Sequence, residues 1–235
     1  MIIVNFIIID KGLSHIYKNA GSYTSGKSVS IDFQAFLIVM LLSFIYYKIS
    51  NLIVAKKINK LFQKNDYEKS LKYLDKCLET HPRMFSLKFD RTESLFLKCD
   101  YPEFKASAAS LWQDKRIKEK KYSYLLKGFE SIIGFLVEGK QDIDFSVSAP
   151  KASWEKILYL ICNKNDFSSD EIESIALEAF NSPYNLIKSI AAAFLANVYK
   201  EKSDLNHFEL YSKKAKELAV SPEALHGIKA LLGEL

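Results

Sequence analysis

One uncharged, apolar run constrains this chain more than any other feature. From Phe33 to Tyr47 the sequence has no charged residue, and Lys48 is the only charge before Ala55. In a helix, about 23 residues rise by roughly 34 Å, which is enough to cross a hydrocarbon core of about 30 Å. We therefore predict a transmembrane helix over residues 31–55. The alternative is a buried core helix, although the run lacks the polar stripe of a helix with one solvent-facing side.

The residues that flank this run predict its place and direction in a bilayer. Tyr46, Tyr47 and Lys48 are typical of a membrane interface, where aromatic rings lie at the headgroups and a lysine amine reaches for water. Lysines are more frequent just after the run than just before it: Lys48, Lys56, Lys57, Lys60 and Lys64 follow, whereas the nearest before it are Lys18 and Lys27. The positive-inside rule then predicts a cytoplasmic C-terminal domain. The opposite topology, with that domain exported, stays open.

Residues 1–30 are predicted to be an N-terminal extension. The apolar start, Met1 to Ile9, is too short to span a bilayer as a helix. The following segment to Ser30 contains three glycines among serine, threonine and asparagine, which indicates a flexible linker.

The composition after the span favours an all-α fold. Only eight glycines and five prolines punctuate the whole chain, and apolar residues recur at intervals of three and four. The net charge of +5 comes almost entirely from lysine, since the chain has three arginines. No basic stripe interleaved with aromatic residues is present, so we expect no nucleic-acid partner.

Residues 54–82 have the spacing of a helix pair with a tight turn. The first helix would present three apolar residues and the turn would contain Asn65 and Asp66. The second helix would carry small residues where it crosses the first, and Pro82 would end it. This segment resembles a tetratricopeptide repeat through Val54, Ile58, Leu61, Asn65, Asp66, Tyr67, Ser70, Leu74, Cys77 and Pro82. Lys57 departs from the family pattern, which usually has leucine there.

The resemblance implies an α-solenoid of antiparallel helix pairs behind one transmembrane helix. Two repeats are expected over residues 53–112, the second with Pro102 in a first helical turn. Residues 113–150 are expected to form a long helix closed by Gly139 and then a loop. Residues 151–235 are expected to form further pairs, with Ser169 or Asp170 capping one helix, a repeat-like pair near the end, and a final capping helix from Ser221 and Pro222.

The sequence offers no convincing catalytic or metal site. The three cysteines, Cys77, Cys99 and Cys162, lack metal-ligand spacing and are expected to be reduced packing residues. The four histidines are scattered, without a second ligand three or four residues away. Two carboxylate pairs, Asp142 with Asp144 and Asp170 with Glu171, are better explained as a loop and a helix start. We therefore expect no cofactor, no metal and no enzyme activity.

The repeat resemblance does imply a binding surface. In that family the first helix of each pair lines a concave groove. Mapping by phase places six residues on that face: Asn59, Phe62, Gln63, Phe89, Glu93 and Phe96. Exposed phenylalanines there would anchor an extended or helical peptide. The alternative is that the three phenylalanines pack against the following helices.

Taken together, the sequence predicts a single-pass membrane protein, attached through residues 33–55, that acts as a scaffold or adaptor for a protein or peptide partner. The first alternative is an exported repeat protein that assists envelope assembly or a translocation channel. The second is an enzyme with an unrecognised site. The span and the first repeat helix are also expected to form one continuous rod of about 33 residues, because the repeat's first helix, with Val54, Ile58 and Leu61, begins while the apolar run is still ending.

Overall fold

The computed structural model describes residues 28–140, 143, 145, 150–163 and 165–235, apart from the side chains of residues 28–35, 47 and 51. Its described residues contain ten α-helices and no strand, which confirms the all-α class. The helices are α1 Ser28–Gln63, α2 Tyr67–Thr80, α3 Phe85–Lys98, α4 Tyr101–Trp112, α5 Lys120–Glu138, α6 Ser153–Asn163, α7 Ser169–Phe180, α8 Asn185–Glu201, α9 Leu205–Glu217 and α10 Pro222–Leu231. A short 3-10 helix, Lys115–Lys118, precedes α5.

Two earlier predictions fall largely outside the described residues. They are the N-terminal extension over residues 1–30 and the loop that follows Gly139, with its carboxylates Asp142 and Asp144. The chain divides into two compact units, Met1–Lys56 and Lys57–Leu235. The second, which we call the helical unit, contains the end of α1 and all of α2 to α10.

Side-chain caps place the helix ends close to their predicted positions. Asp66 and Asp204 accept backbone N–H bonds at the starts of α2 and α9, and Ser221 does the same at α10. Gly139 ends α5 with φ 66°, a left-handed conformation that glycine adopts without strain. The cap of α7 is Ser168 rather than Ser169 or Asp170, because Ser168 and Glu171 form a reciprocal capping box.

Four pairs of successive helices in the helical unit run antiparallel. Between α2 and α3, Ser70 lies 3.1 Å from Ser94 and Asp75 lies 2.7 Å from Arg91, so increasing numbers in one helix meet decreasing numbers in the other. The pairs α3 with α4, α7 with α8 and α8 with α9 follow the same rule. Their contacts are Thr92 with Ser107, Phe96 with Phe104, Ser169 with Glu201, Tyr199 with Glu173, Ser189 with Ala215, and Tyr199 with His207.

Helix α8 is the centre of the helical unit. Eleven of its seventeen residues are buried, and it packs against α3, α6, α7, α9 and α10. Four of the buried residues are alanines, whose small side chains let neighbouring backbones come close. The core is therefore built around one helix from the C-terminal half of the chain.

The last helix, α10, returns to the middle of the unit. It packs against α5 and α8 as well as α9, so it does more than cover the end of the last pair. Its closest approach is at Gly227, where a Cβ atom would lie 2.0 Å from the backbone oxygen of Leu136. Only glycine leaves room for this contact between α10 and α5.

Replacing Gly227 by alanine should lower the free energy of unfolding by about 1–3 kcal/mol, because a backbone oxygen has little freedom to move aside. Urea unfolding followed by tryptophan fluorescence measures this, since Trp112 and Trp154 both lie in the helical unit. Gly134→Ala is the matched control. Its Cβ would meet the flexible side chain of Lys140 at 3.3 Å, so little or no loss is expected. Equal losses in the two variants would contradict the role given to Gly227.

Candidate functional site

The apolar part of α1 is exposed along its described length. Large side chains from Phe36 to Ile53 are exposed, including Leu41 at 59% and Leu52 at 66%. Over Phe36–Gln63 the helix is long and apolar enough to cross a membrane, with a mean hydropathy of 1.9 in its most apolar window and none of that window buried. By length and composition, it is the one such helix in the described part of the chain.

The predicted interface residues lie within this exposed stretch. Tyr46 is 38% exposed, and the Lys48 amine lies 5.4 Å from the centre of the Phe44 ring. The side chain of Tyr47 is outside the described residues. These positions are compatible with an amine that reaches past an apolar ring towards water.

The six predicted groove residues do not share one environment. Asn59 and Gln63 are exposed and Glu93 is half-buried, but Phe62, Phe89 and Phe96 are all at least 95% buried. Exposed aromatic anchors at these three positions were therefore a wrong expectation, and the alternative of packed rings is what the structure has. Peptide binding by the remaining positions stays a prediction.

The three rings are covered by helices that follow them in the sequence. Phe96 stacks on Phe129 of α5, with ring centres 4.3 Å apart, and Phe89 lies 5.1 Å from Tyr122. Phe62 contacts Tyr184, the residue before α8, at 6.5 Å between ring centres. Helical phase identifies the inner face of a pair, but it does not reveal that this protein covers that face with its own later helices.

Asn65 joins the first helix pair to the start of α8. Its φ of 52° is left-handed, a conformation that asparagine tolerates better than most residues. Its Oδ1 accepts hydrogen bonds from the Asn185 N–H at 2.8 Å and from the Tyr67 hydroxyl at 2.6 Å. Its Nδ2 donates to the backbone oxygen of Pro183 at 3.2 Å. Tyr184 itself makes no side-chain capping bond, so Asn65 supplies the cap of α8 from 120 residues away.

Two carboxyl groups on α3 titrate far from their usual range. Burial raises the pKa of Asp90 to about 6. Burial, followed by the negative charge of Asp90, raises the pKa of Glu93 to about 7. The neighbouring hydroxyls of Tyr67 and Tyr184 also have raised pKa values, mainly because they are buried and partly because of Glu93. Neither carboxylate has an ion pair within the described residues.

A carboxyl group with a pKa near 7 is suited to general acid–base chemistry. Glu93 is therefore where the enzyme alternative would place its reactive group. No group of three or more histidine, cysteine or acidic side chains is arranged to hold a metal ion in the described ranges. Cys99 is buried, and the free thiols of Cys77 and Cys162 are half-buried. The titratable groups described beside Glu93 are Asp90 and the hydroxyls of Tyr67 and Tyr184.

A polar cleft of about 280 Å³ lies next to Asn65. It is lined by residues 65–68, Lys98, Asn185 and residues 217–220. Glu68 and Lys98 form an ion pair across it at 2.8 Å. The cleft thus lies where α2, α3 and α8 meet, and it was not evident from the sequence because its walls are far apart in the chain.

Comparisons with models of protein families, with curated proteins and with solved structures find no match to this chain. The resemblance to tetratricopeptide repeats therefore rests on the residues and contacts described above.

The raised pKa values predict how stability depends on pH. Asp90 and Glu93 have ordinary values of 3.8 and 4.5, so the unfolded chain releases these protons before the folded protein does. Their contribution to the free energy of unfolding is fully present below about pH 3.8, falls as the pH rises to about 7 and is constant above that. Asp90→Asn with Glu93→Gln should remove this fall and stabilise the protein at pH 8 by roughly 2–4 kcal/mol.

Urea unfolding at a series of pH values measures the difference between this double variant and the wild type. Glu79→Gln with Glu209→Gln is the control, because it also removes two carboxylates but from exposed positions. That control should keep the wild-type pH dependence. A double variant that is no more stable than the control at pH 8 would show that Asp90 and Glu93 are not strained by burial.

Proposed function

We propose that this chain is a single-pass membrane protein whose helical unit is a tetratricopeptide-like scaffold, binding a protein or peptide partner at the cytoplasmic surface of the membrane. The exposed apolar helix α1 is the observation that carries this proposal. The antiparallel helix pairs support the scaffold part, and the excess of lysines after the apolar run supports the orientation.

The energetic argument for membrane insertion is simple. Full burial of a Leu, Ile or Phe side chain contributes about 1.5–3 kcal/mol. The described part of α1 exposes twelve large apolar side chains, so moving them from water into lipid contributes on the order of 20 kcal/mol. Inside lipid, a helix also satisfies its own backbone hydrogen bonds. A bilayer therefore suits this segment far better than water does.

The scaffold proposal rests on how the first pairs pack. Ser70 and Ser94 face each other at 3.1 Å, which lets α2 and α3 cross closely, as small residues do in tetratricopeptide pairs. Asn59 and Gln63 are exposed at the end of α1, and the polar cleft beside Asn65 lies one turn further along the chain. These are the positions at which we expect a partner to bind, in place of the buried phenylalanines.

Replacing Leu41 and Phe44 by arginine should release the protein from membranes, because two charges in the middle of the apolar run are costly in hydrocarbon. Extraction of cell membranes at alkaline pH measures this, with wild type expected in the pellet and the double variant in the supernatant. Leu41→Ile with Phe44→Leu is the matched control and should stay in the pellet. Release of the wild type would overturn the membrane assignment.

The same proposal fixes the side of the membrane. A cysteine at exposed Gln113, in a chain whose native cysteines are replaced by alanine or serine, should react with an impermeant maleimide only after the cells are permeabilised. Labelling in intact cells would instead favour the exported topology.

Partner binding is tested by photo-crosslinking from the membrane-bound protein. A photoreactive phenylalanine at Asn59 or Gln63 should give a discrete adduct with another protein. The same residue at exposed Glu209 or Lys213 of α9 should not, because those side chains lie outside the expected binding face. Identical adducts from all four positions, or none from Asn59 and Gln63, would contradict the proposed face.

A further inference from the structure

Two turns of the helical unit meet at one edge. The first, residues 81–84, joins α2 to α3, and the second, residues 113–119, joins α4 to α5. Arg116 links them, because its Nη1 donates to the backbone oxygen of Arg83 at 3.1 Å. The same guanidinium lies 5.2 Å from the centre of the Phe85 ring. These contacts bring together basic residues that are more than 30 positions apart in the sequence.

The edge carries a concentrated positive charge. We call it the basic edge and define it by six exposed cationic residues: Arg83, Lys115, Arg116, Lys118, Lys120 and Lys121. Residues 81–84 and 113–121 contain two carboxylates, those of Asp114 and Glu119. The resulting net charge of +4 compares with +5 for the entire chain.

Most of these cations are not neutralised by the protein. Arg116 pairs with Asp114 at 2.6 Å, but the other five have no ion pair among the described residues. The opposite end of the first pairs differs, since Lys98 there pairs with Glu68 at 2.8 Å and with Asp100 at 3.2 Å. The basic edge is thus a cluster of exposed, unpaired charge, and such a cluster attracts anions over about one Debye length.

The basic edge lies at the end of the helical unit where the chain enters it. Lys57, the first residue of this unit, contacts Tyr73 of α2, with its amine 3.8 Å from the ring centre. Phe62 contacts Tyr67 at 6.1 Å, so α1 and α2 run antiparallel. Helix α2 therefore runs back towards the entry point of the chain, and the turn at residues 81–84 follows its last residue.

We propose that the basic edge binds the headgroups of anionic phospholipids in the membrane that α1 spans. This inference rests on the proposed membrane attachment. Lysine clusters near a membrane surface are attracted to anionic lipids. Their amines stay hydrated at the headgroups, so the desolvation cost is small. Five of the six cations extend from one short segment, residues 115–121, which lets them lie against a flat surface together.

The test uses the full chain in nanodiscs made of phosphatidylcholine alone or with about 30% phosphatidylglycerol. Amine acetylation followed by mass spectrometry gives the reactivity of each lysine. Lys115, Lys118, Lys120 and Lys121 should react at least threefold more slowly in the anionic discs, and about 0.5 M salt should remove the difference. Exposed Lys213 of α9 should react equally in both.

Two variants that each lack three lysines test the same proposal. In both, the protection of Lys115 from acetylation is measured. K118Q/K120Q/K121Q should lose most of the protection of Lys115, whereas K151Q/K200Q/K213Q should keep it. No protection in anionic discs, or equal protection of Lys213, would overturn the proposal. The same lysines are also measured in neutral discs with an oligonucleotide or inorganic phosphate added at the same phosphate concentration. Protection equal to that in the anionic discs would overturn the proposal in favour of a soluble anion. A chain that fails to enter discs at all would instead refute the proposed membrane attachment.

Discussion

The first N–H groups of a helix have no acceptor within the helix, and at the half-buried start of α8 another part of the protein supplies one. The local sequence does not provide such an acceptor, since Tyr184 makes no capping bond and the first turn of α8 has no acidic residue. Asn65 supplies the missing acceptor for the Asn185 N–H. The left-handed turn after α1 and the start of α8 therefore depend on each other, although they lie 120 positions apart in the sequence.

Two carboxyl groups near this junction work against stability. Burial raises the pKa of Asp90 to about 6 and that of Glu93 to about 7. The negative charge of Glu93 also contributes to the raised pKa of the Tyr184 hydroxyl. Neither carboxylate has an ion pair within the described residues, so their ionised forms are unfavourable in the folded protein.

The sequence predicted those features of the fold that are set within a few residues. Asp66 and Gly139 act through neighbouring backbone groups, so their helix ends follow from local chemistry. The hydrogen bonds of Asn65 with the start of α8 and the contact of Gly227 with Leu136 join residues that are 90 or more positions apart. Short-range sequence patterns cannot predict such contacts. The groove residues show the same division. Phase placed Phe89 and Phe96 on an inner face, but only the path of α5 decides that this face is closed.

The distribution of polarity along the chain gives the apolar run and the basic edge a common physical basis. The exposed apolar side chains of α1 are unfavourable in water, and the unpaired lysines of residues 115–121 would be unfavourable in hydrocarbon. A membrane with an anionic surface offers both media within a few ångströms. Folding of the helical unit requires neither feature, because its core lies around α8, and Lys98 at its opposite end is paired with Glu68 and Asp100. The proposed attachment to a membrane uses both.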